Sequence, residues 1–508
     1  MITDYKKEFA RINSLLLADS YKAAQTELQR LLKKKLPREA LATAANLVRR
    51  ARWPEKAVQL LHGVVRPERG RLARMPADDF EKAEFGASLR AIGALNEAVE
   101  VLAEISHARF PRAGVYLGIA HIVRWDAEAA LPVLERALAS SKARQFEHTL
   151  GRVYLGIALS YTGRHMQRAE EVLVEVLAAS ENEEQRLVRQ AALEALAMHF
   201  TEQRAYARAN GYLNQLEKLS TSDGDPVFHL LVEQWRCVAG LAKNSGDANV
   251  RRRLGKVREA FCKANQWERA RGCDFYSALA RDDCKALREL YFSSSYVGFR
   301  GRLSAAMAKR GQSGLPAEYR WNVPAEGSRI AGGAARVLEL GVPGFGSRMP
   351  ERILQALSSD TYKPFRVAEL HELLYPGEYF NPLSSPARIH QNVLRTRGWL
   401  KLKQLPALIV ERDGYFSLRA TAPLVLALGE VLSKGTEKRS RGEVRISGCV
   451  AKLRAEFGKA EFSAAQAARV LGESPRSARR HLGAAREKSL LTQLGSGRGA
   501  RYLVVEAG

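Results

Sequence analysis

Alanine recurs at a nearly regular interval in the first half of the chain, each time within a segment of spaced leucine and valine. The segments read YKAAQTELQRLL, WPEKAVQLLHGVV, LNEAVEVLAEI, WDAEAALPVLERAL, MQRAEEVLVEVLAA and YARANGYLNQLEKL. Their shared alanines, spaced by 33, 41, 32, 39 and 40 residues, are Ala24, Ala57, Ala98, Ala130, Ala169 and Ala209. Other amphipathic stretches, such as REALATAANLVRRA, precede these segments. The pattern predicts a repeated helical hairpin in which small alanines let two helices approach closely.

This period resembles that of tetratricopeptide arrays, and the resemblance covers about residues 1–281. The Gly and Pro positions expected for that family are irregular here. The resemblance implies an α-solenoid, to which we assign residues 1–291. Such an array can bind a protein or peptide partner or sense a ligand, but it can also be purely structural, and the fold alone does not separate these functions.

The helical period breaks down in residues 292–346. The stretch GQSGLPAEYRWNVPAEGSRIAGGAARVLELGVPGFGSR is rich in Gly and Pro, which predicts a connector with a short strand at ARVLEL. The GVPGFG stretch lacks the GxGxxG register and the strand–helix context of a nucleotide-binding loop, so we predict none there.

Residues 347–420 follow the order helix, helix, helix, hairpin. The helical segments are MPERILQALSS, FRVAELHELLYP and SSPARIHQNVLRTRGWL, and PALIVERDGYFSLRA reads as two β-rich runs joined through Asp413-Gly414. The residues ARIHQNVLRTRGWL and IVERDGYFSL resemble the recognition helix and wing of OmpR-type activator DNA-binding domains. Thr396 stands where that family usually has an apolar residue, and Phe416-Ser417 interrupts the wing motif. The resemblance implies a first winged helix.

Five residues of this first winged helix are candidate DNA contacts: Arg388, Gln391, Arg395, Arg397 and Arg412. Helical geometry places Ile389, Val393 and Leu400 on the core side, so the first three candidates are expected on the opposite face. Arg and Gln side chains can make bidentate hydrogen bonds to purine edges in the major groove.

We expect residues 421–442 to form a helix followed by a basic linker, and residues 443–508 to form a second winged helix. Its helices are VRISGCVAKLRAEFG, FSAAQAARVLG and SPRSARRHLGAAREKS, with Ser463 and Ser474 as caps and Pro475 in the first turn. The stretch LLTQLGSGRGARYLVVE reads as a hairpin with a basic tip. This arrangement resembles the winged helices of bacterial regulators.

Six further residues are candidate DNA contacts in this second winged helix: Arg476, Ser477, Arg479, Arg480, Arg498 and Arg501. At about 100° per residue, Ala478, Leu482 and Ala485 share the inward face of the third helix. Arg476 and Arg480 then point away from the core, with Ser477 and Arg479 on the flanks and Gly483 facing outward. Arg498 and Arg501 on the wing would meet phosphates or the minor groove.

The charge distribution supports this interpretation. The 508 residues contain 80 Lys and Arg against 55 Asp and Glu, a net charge of +25. The last 73 residues carry 15 basic and 7 acidic residues, whereas the first 346 carry 53 and 40. Positive charge is therefore most concentrated at the C-terminal end, which favours a polyanionic partner.

Other classes of function have little support in the sequence. Cys262, Cys273 and Cys284 are spaced by 11 and would share one face of a continuous helix, but a zinc site usually needs closer pairs and a fourth ligand, so we predict buried thiols and no metal. Neither a phosphate-binding loop nor HExxH, GxSxG or paired CxxC occurs, so we predict neither an enzyme nor a bound cofactor. The absence of a long apolar run or a secretion signal predicts a cytoplasmic protein with no membrane partner.

The sequence therefore predicts a mainly α protein, with an N-terminal α-solenoid of helical hairpins and two small α+β winged-helix domains. The function it favours is a DNA-binding transcriptional regulator with a protein or peptide partner on the repeats. In this hypothesis Gln391, Arg395, Arg476 and Arg480 read bases, and other Lys and Arg residues contact phosphates. The alternatives are a scaffold whose winged helices bind proteins, and an RNA-binding protein. The oligomeric state, target site and activating signal stay open.

Overall fold

The computed structural model describes most of the chain. The described residues are 5–18, 20–67, 75–140, 145–180, 186–219, 226–312, 318–325, 335–340, 348–429, 449–450, 453–454, 456–458, 460–472, 475–487, 490–495 and 500–505. They are mainly helical, with a few small sheets. The chain divides into two compact units, the first consisting of Met1–Leu315, Ser359–Glu369 and Asn381–Pro386, and the second of Pro316–Ser358, Leu370–Phe380 and Ala387–Gly508.

Helices follow one another through the first 308 residues. Those described are α1 (Tyr5–Leu17), α2 (Tyr21–Leu32), α3 (Arg38–Arg50), α4 (Pro54–Val65), α5 (Asp79–Ile92), α6 (Leu95–Ala103), α7 (Pro111–Val123), α8 (Ala127–Leu138), α9 (Gln145–Thr162), α10 (Met166–Ala179), α11 (Arg186–Glu202), α12 (Tyr206–Lys218), α13 (Pro226–Lys243), α14 (Ala248–Lys263), α15 (Trp267–Ala280), α16 (Cys284–Phe292) and α17 (Val297–Ala308). From α1 to α15, each odd-numbered helix packs against the even-numbered helix that follows it, and from α1 to α13 also against the next odd-numbered helix.

The periodic alanines occupy one equivalent position of the predicted hairpins. Each is the fourth residue of an even-numbered helix between α2 and α12, and all six are fully buried. A methyl side chain leaves the paired helix room to approach, and leucines one turn further on, such as Leu28 and Leu134, fill the space beside it. The predicted helical hairpins are therefore confirmed over this region.

The turns within the hairpins explain why glycine is irregular in the sequence. A residue in the left-handed region precedes the second helix of each of several hairpins, a conformation that glycine adopts at low cost. Gly93 and Gly163 occupy this position before α6 and α10, but Arg52, Trp125 and Arg204 occupy it before α4, α8 and α12. The repeated backbone conformation is present even where the glycine is not.

Helix α17 lies in the region predicted to be a connector, so that prediction is wrong for Val297–Ala308. Its Arg302 donates to Glu202 of α11 at 3.0 Å and lies 4.7 Å from the ring centre of Tyr161 on α9. Gly298 lies so close to the backbone of Trp125 that a Cβ there would come within 2.1 Å of the carbonyl oxygen. The inward-facing arginines interrupt the apolar period, which hides this helix in the sequence.

A later segment, Ser359–Glu369, packs against the same helical unit. The Asp360 carboxylate accepts two hydrogen bonds, of 2.8 and 3.0 Å, from Arg271 of α15, and both side chains are 0% exposed. The Tyr362 hydroxyl bonds to Asp274 of α15, and Arg366 donates to the carbonyl oxygen of Ala91 at 2.8 Å. This segment is thus fixed to helices that lie far away in sequence.

The chain after residue 348 contains both helices and strands. They are α18 (Met349–Ser359), β3 (Phe365–Arg366), α19 (Val367–Leu374), α20 (Ser385–Leu402), β4 (Ala407–Arg412), β5 (Tyr415–Ala420), β6 (Leu424–Gly429), β7 (Phe462–Ser463), α21 (Ala464–Leu471), α22 (Pro475–Glu487), β8 (Leu491–Leu494) and β9 (Arg501–Val504), preceded in the connector region by β1 (Glu318–Asn322) and β2 (Arg336–Leu340). The strand predicted at ARVLEL is confirmed as β2.

Strand β6 lies where the sequence predicts a helix in residues 421–442, so the helix prediction is wrong for Leu424–Gly429. This strand is the centre of a mixed sheet, antiparallel to β1 and parallel to β2. A short apolar run such as LVLALG fits a buried strand and a helix equally well, and its partners are distant in sequence. Residues 430–448, which include the predicted basic linker, lie outside the described residues.

The three evenly spaced cysteines lie on three different helices, not on one continuous face. Cys262 is on α14, Cys273 on α15 and Cys284 on α16. Cys273 is buried, whereas Cys262 and Cys284 are partly exposed. Burial raises the pKa of the Cys273 thiol well above its usual value.

Candidate nucleic-acid interface

Helix α20 and the β4–β5 hairpin form the first helix–hairpin module. Ile389, Val393 and Leu400 are buried, as the helical spacing predicts. The hairpin closes through Asp413 and Gly414, whose φ values of 52° and 77° give the two left-handed residues that a tight two-residue turn requires. The core contacts of α20 therefore fix which face of the helix points to solvent.

The outward face of α20 carries two polar side chains that are free to bind. Gln391 and Arg395 are exposed, and neither has a hydrogen-bond or ion-pair partner among the described residues. Leu394 lies between them and is 66% exposed. Guanidinium, amide and apolar groups on one helical face match the three kinds of contact that base edges offer in a major groove.

Arg388 is also exposed, but it already has partners. Its guanidinium donates to Glu378 and stacks 3.4 Å from the ring centre of Tyr375. Reading a base would require this ion pair to break, so Arg388 is a weaker candidate than its position on the helix indicates.

Arg397, another candidate DNA contact, faces the hairpin. It is partly buried, and its Nε donates to the carbonyl oxygen of Ile409 on β4 at 3.0 Å. The side chain therefore joins the helix to the hairpin. Arg412, the last residue of β4, is exposed beside the Asp413–Gly414 turn.

A polar network within this module was missed by sequence reasoning. Thr396 is fully buried and its hydroxyl donates to the carbonyl oxygen of Asn392 at 2.8 Å, while the Asn392 amide donates to the Tyr375 hydroxyl. The position that departs from the OmpR-type pattern is thus satisfied by a bond within its own helix. The signal in the sequence was a polar residue on an otherwise apolar stripe.

Helices α21 and α22 with strands β8 and β9 form the second helix–hairpin module. Ser463 caps α21, as predicted, in a capping box with Gln466, and Gly472 ends the helix in the left-handed conformation. Pro475 begins α22, and Ala478, Leu482 and Ala485 are buried, which confirms the calculated inward face. The cap assigned to Ser474 lies outside the described residues.

Among the candidate residues on α22, Arg479 is the one whose side chain the structure describes. Arg479 is exposed and has no partner among the described residues. Arg476, Ser477 and Arg480 lie in α22, but their side chains are outside the described part of the structure, as is the whole of Arg498.

Arg501 begins β9 and is exposed, and its Nη1 donates to the Oε1 atom of Gln466 at 3.3 Å. This contact fixes the hairpin against the start of α21. A second contact, missed in the sequence, places the buried His481 Nδ1 atom 3.9 Å from the Cys449 Sγ atom.

The described residues contain neither a metal-ligand group nor a membrane-spanning helix. No group of three or more His, Cys, Asp or Glu in them could hold a metal ion. No described helix is long and apolar enough to cross a lipid bilayer. In comparisons with known proteins, no family matched the sequence and no curated protein was similar to it.

Proposed function

We propose that the protein is a DNA-binding transcriptional regulator, with an α-solenoid that recruits or senses a partner and two C-terminal winged helices that hold duplex DNA. The proposal rests mainly on the outward face of α20, where Gln391 and Arg395 are exposed and have no partner among the described residues. These side chains belong to a helix whose opposite face is packed in a core, beside a tight hairpin. This is the arrangement in which winged helices present a recognition helix.

The second module supports the same proposal through charge. Arg479 on α22 and Arg501 on β9 are exposed on a segment of the chain with a net charge of +8 over 73 residues. Basic side chains on a helix and on the adjacent hairpin can contact phosphates on both sides of a groove. In this function, phosphate contacts supply most of the affinity, and base contacts from α20 and α22 supply the specificity.

Salt titration of duplex binding by the full chain tests the proposal. We expect affinity for duplex DNA to fall by about 10³–10⁵ between 50 and 200 mM salt if about 6–10 phosphates are contacted. A structured RNA used as competitor should displace the protein much less effectively than duplex DNA. No duplex binding at low salt, or stronger competition by the RNA, would overturn the proposal.

The second candidate function is a scaffold that uses the first module to bind a protein. Exposed leucines favour it: Leu394 is 66% exposed on the outward face of α20, and Leu402 at its end is 79% exposed. Large exposed apolar side chains can contribute to a protein contact surface, although Leu394 can also contact a thymine methyl group.

The variant Leu394→Ala separates the two candidates when it is compared with Gln391→Ala. A regulator that reads bases should lose duplex affinity in both variants, with the larger loss for Gln391→Ala because it removes hydrogen bonds. If the protein is a scaffold, neither the wild type nor the variants should bind duplex DNA. Its binding to a protein partner should then depend on Leu394.

A further inference from the structure

Helix α17 contacts helices that are far from it in the array. Arg302 of α17 donates to the Glu202 carboxylate of α11 at 3.0 Å, and both side chains are largely buried. The guanidinium carbon of Arg302 also lies 4.7 Å from the ring centre of Tyr161 on α9. One arginine of α17 thus connects it to two helices that precede it by about 100 residues or more.

Two other residues of α17 fit closely against the same side of the array. Phe299 is 0% exposed, and its ring centre lies 4.7 Å from that of Trp125, in the turn between α7 and α8. The Phe299 ring centre lies 5.5 Å from that of Phe275 on α15. Gly298 lies against the Trp125 backbone, where a Cβ would come within 2.1 Å of the carbonyl oxygen.

These contacts differ from those of a further repeat. In a solenoid each repeat packs against its neighbours, which for α17 would be α15 and α16. Contacts with α9, α11 and the α7–α8 turn instead place α17 across the side of the array that the odd-numbered helices form. We call this surface, defined by Trp125, Tyr161, Glu202 and Phe275, the α17-binding face.

The opposite side of α17 is open to solvent. Val297 is 61% exposed, and Gly301 and Ala305, which follow it at intervals of about one turn, are exposed as well. Phe299 and Leu303 lie in the core on the array side. An element that is held by one face can separate locally without unfolding of the helices beneath it.

The chemistry of the α17-binding face defines what else can bind there. Without α17 the face would present the Glu202 carboxylate beside three aromatic rings. A carboxylate pairs with a guanidinium group, and aromatic rings stack on guanidinium groups and on other rings. Residues three apart lie on the same side of a helix, as Phe299 and Arg302 do. The face is therefore complementary to a helix in which an aromatic residue is followed three residues later by an arginine.

We propose that the α17-binding face is the surface through which the array binds its partner, and that α17 occupies it as an autoinhibitory segment. The partner is a protein helix with the same pair of aromatic and arginine side chains, and it binds when α17 leaves the face. This inference rests on the partner-binding role proposed above for the array.

A fluorescently labelled peptide with the sequence of residues 295–311 tests the proposal, because it carries the chemistry that fits the face. Its binding to the full chain is followed by fluorescence anisotropy. In the wild type α17 competes from within the same molecule. The apparent affinity for the peptide is then reduced by the fraction of molecules in which the face is open.

Two variants loosen α17, and a third serves as the matched control. Gly298→Ala places a methyl group against the Trp125 carbonyl, and Arg302→Gln removes the ion pair with Glu202. Gly301→Ala makes the same chemical change in the same helix, at a position where a Cβ meets nothing within 4 Å. We expect both loosened variants to bind the peptide at least about tenfold more tightly than the wild type, and Gly301→Ala to bind it no more tightly.

A peptide in which Phe299 and Arg302 are both replaced by Ala should bind none of these chains. Far-ultraviolet circular dichroism checks that the variants fold, and Arg302→Gln decides the question by itself if Gly298→Ala does not. Equal binding of the native peptide by all the chains, or binding by neither loosened variant, would overturn the proposal. Duplex DNA takes no part in this experiment, so failure of duplex binding and failure of the α17-binding face give different results.

Discussion

Arginine is used differently in the two units of the molecule. In the helical unit it ties helices together: Arg38 of α3 donates two 2.8 Å bonds to Glu81 of α5, and Arg236 of α13 donates to Glu217 of α12 at 2.7 Å. In the second unit Arg395 and Arg479 are exposed and have no partner among the described residues.

The difference shows that a count of basic residues does not identify a nucleic-acid surface. The first 346 residues contain far more basic residues than the last 73, at 53 against 15, but they also contain 40 acidic residues that can pair with them. Paired arginines contribute to stability, and we propose that the unpaired exposed arginines of the second unit contribute to binding. Variants of each kind should therefore affect different measurements, and the following predictions test that separation.

The largest effect on stability should come from Asp360→Asn. This change removes the carboxylate charge opposite the buried Arg271, whose remaining ion-pair partner is Glu268 at 3.2 Å, and removal of one partner of a buried ion pair costs about 3–5 kcal/mol. Guanidinium denaturation followed by circular dichroism measures the loss. Lys309→Gln, an exposed change on the same unit, should cost less than about 0.5 kcal/mol, and a similar loss in both variants would contradict the comparison.

A smaller loss of stability, dependent on pH, is expected for Glu81→Gln. The hydrogen bonds from Arg38 lower the pKa of the Glu81 carboxyl, so its contribution to stability is full above the unfolded value of about 4.3 and disappears as the pH falls through the lower folded value. At neutral pH the variant should lose about 1.5–3 kcal/mol.

Unfolding of this variant and the wild type at several pH values checks the prediction. The difference between them should shrink as the pH falls below about 4.3. The exposed Glu39→Gln on α3 serves as the control and should leave the pH dependence unchanged. A constant difference between Glu81→Gln and the wild type down to low pH would show that the ion pair with Arg38 contributes little.

Much of the helical unit could be predicted because the requirement for a small residue at each hairpin contact is visible in a single sequence. The left-handed turns could not be predicted, because Arg52 and Trp125 adopt a backbone conformation in which glycine is usually found. Helix α17 and strand β6 were missed for a common reason. Their packing partners lie far away in sequence, and Arg302 points inward where an apolar residue would have marked the period.

The candidate interface was predictable where local geometry decides it. Helical spacing alone separates the buried Val393 from the exposed Gln391 and Arg395. It does not show that Arg388 and Arg397 are already engaged, because the groups that bind them come from outside the helix. Glu378 precedes the helix and the Ile409 carbonyl belongs to the hairpin that follows it, so only the tertiary structure shows that these arginines are occupied.

Arg395→Ala should have the opposite effect to the two changes in ion pairs, with a loss of binding and no loss of stability. If Arg395 reads a base, the change should weaken duplex binding by about 1–3 kcal/mol, while Tm stays within about 1 °C of the wild type. Arg397→Ala provides the contrast on the same helix, because it removes the bond to Ile409 and should lower the stability of the module. Fluorescence anisotropy with a duplex and thermal melting measure the two quantities.

The smallest effect should be that of Arg479→Ala, and it should be visible mainly in the salt dependence of binding. A contact to a phosphate contributes about one unit to the slope of log affinity against log salt concentration, so the variant should bind all duplexes slightly more weakly and with a slope reduced by about 1. Arg236→Ala removes the same charge from a residue already paired with Glu217, and it should leave the slope unchanged. If both variants change the slope equally, the effect belongs to the net charge of the protein and not to the exposed position on α22. An unchanged slope in Arg479→Ala alone would instead remove this residue from the interface.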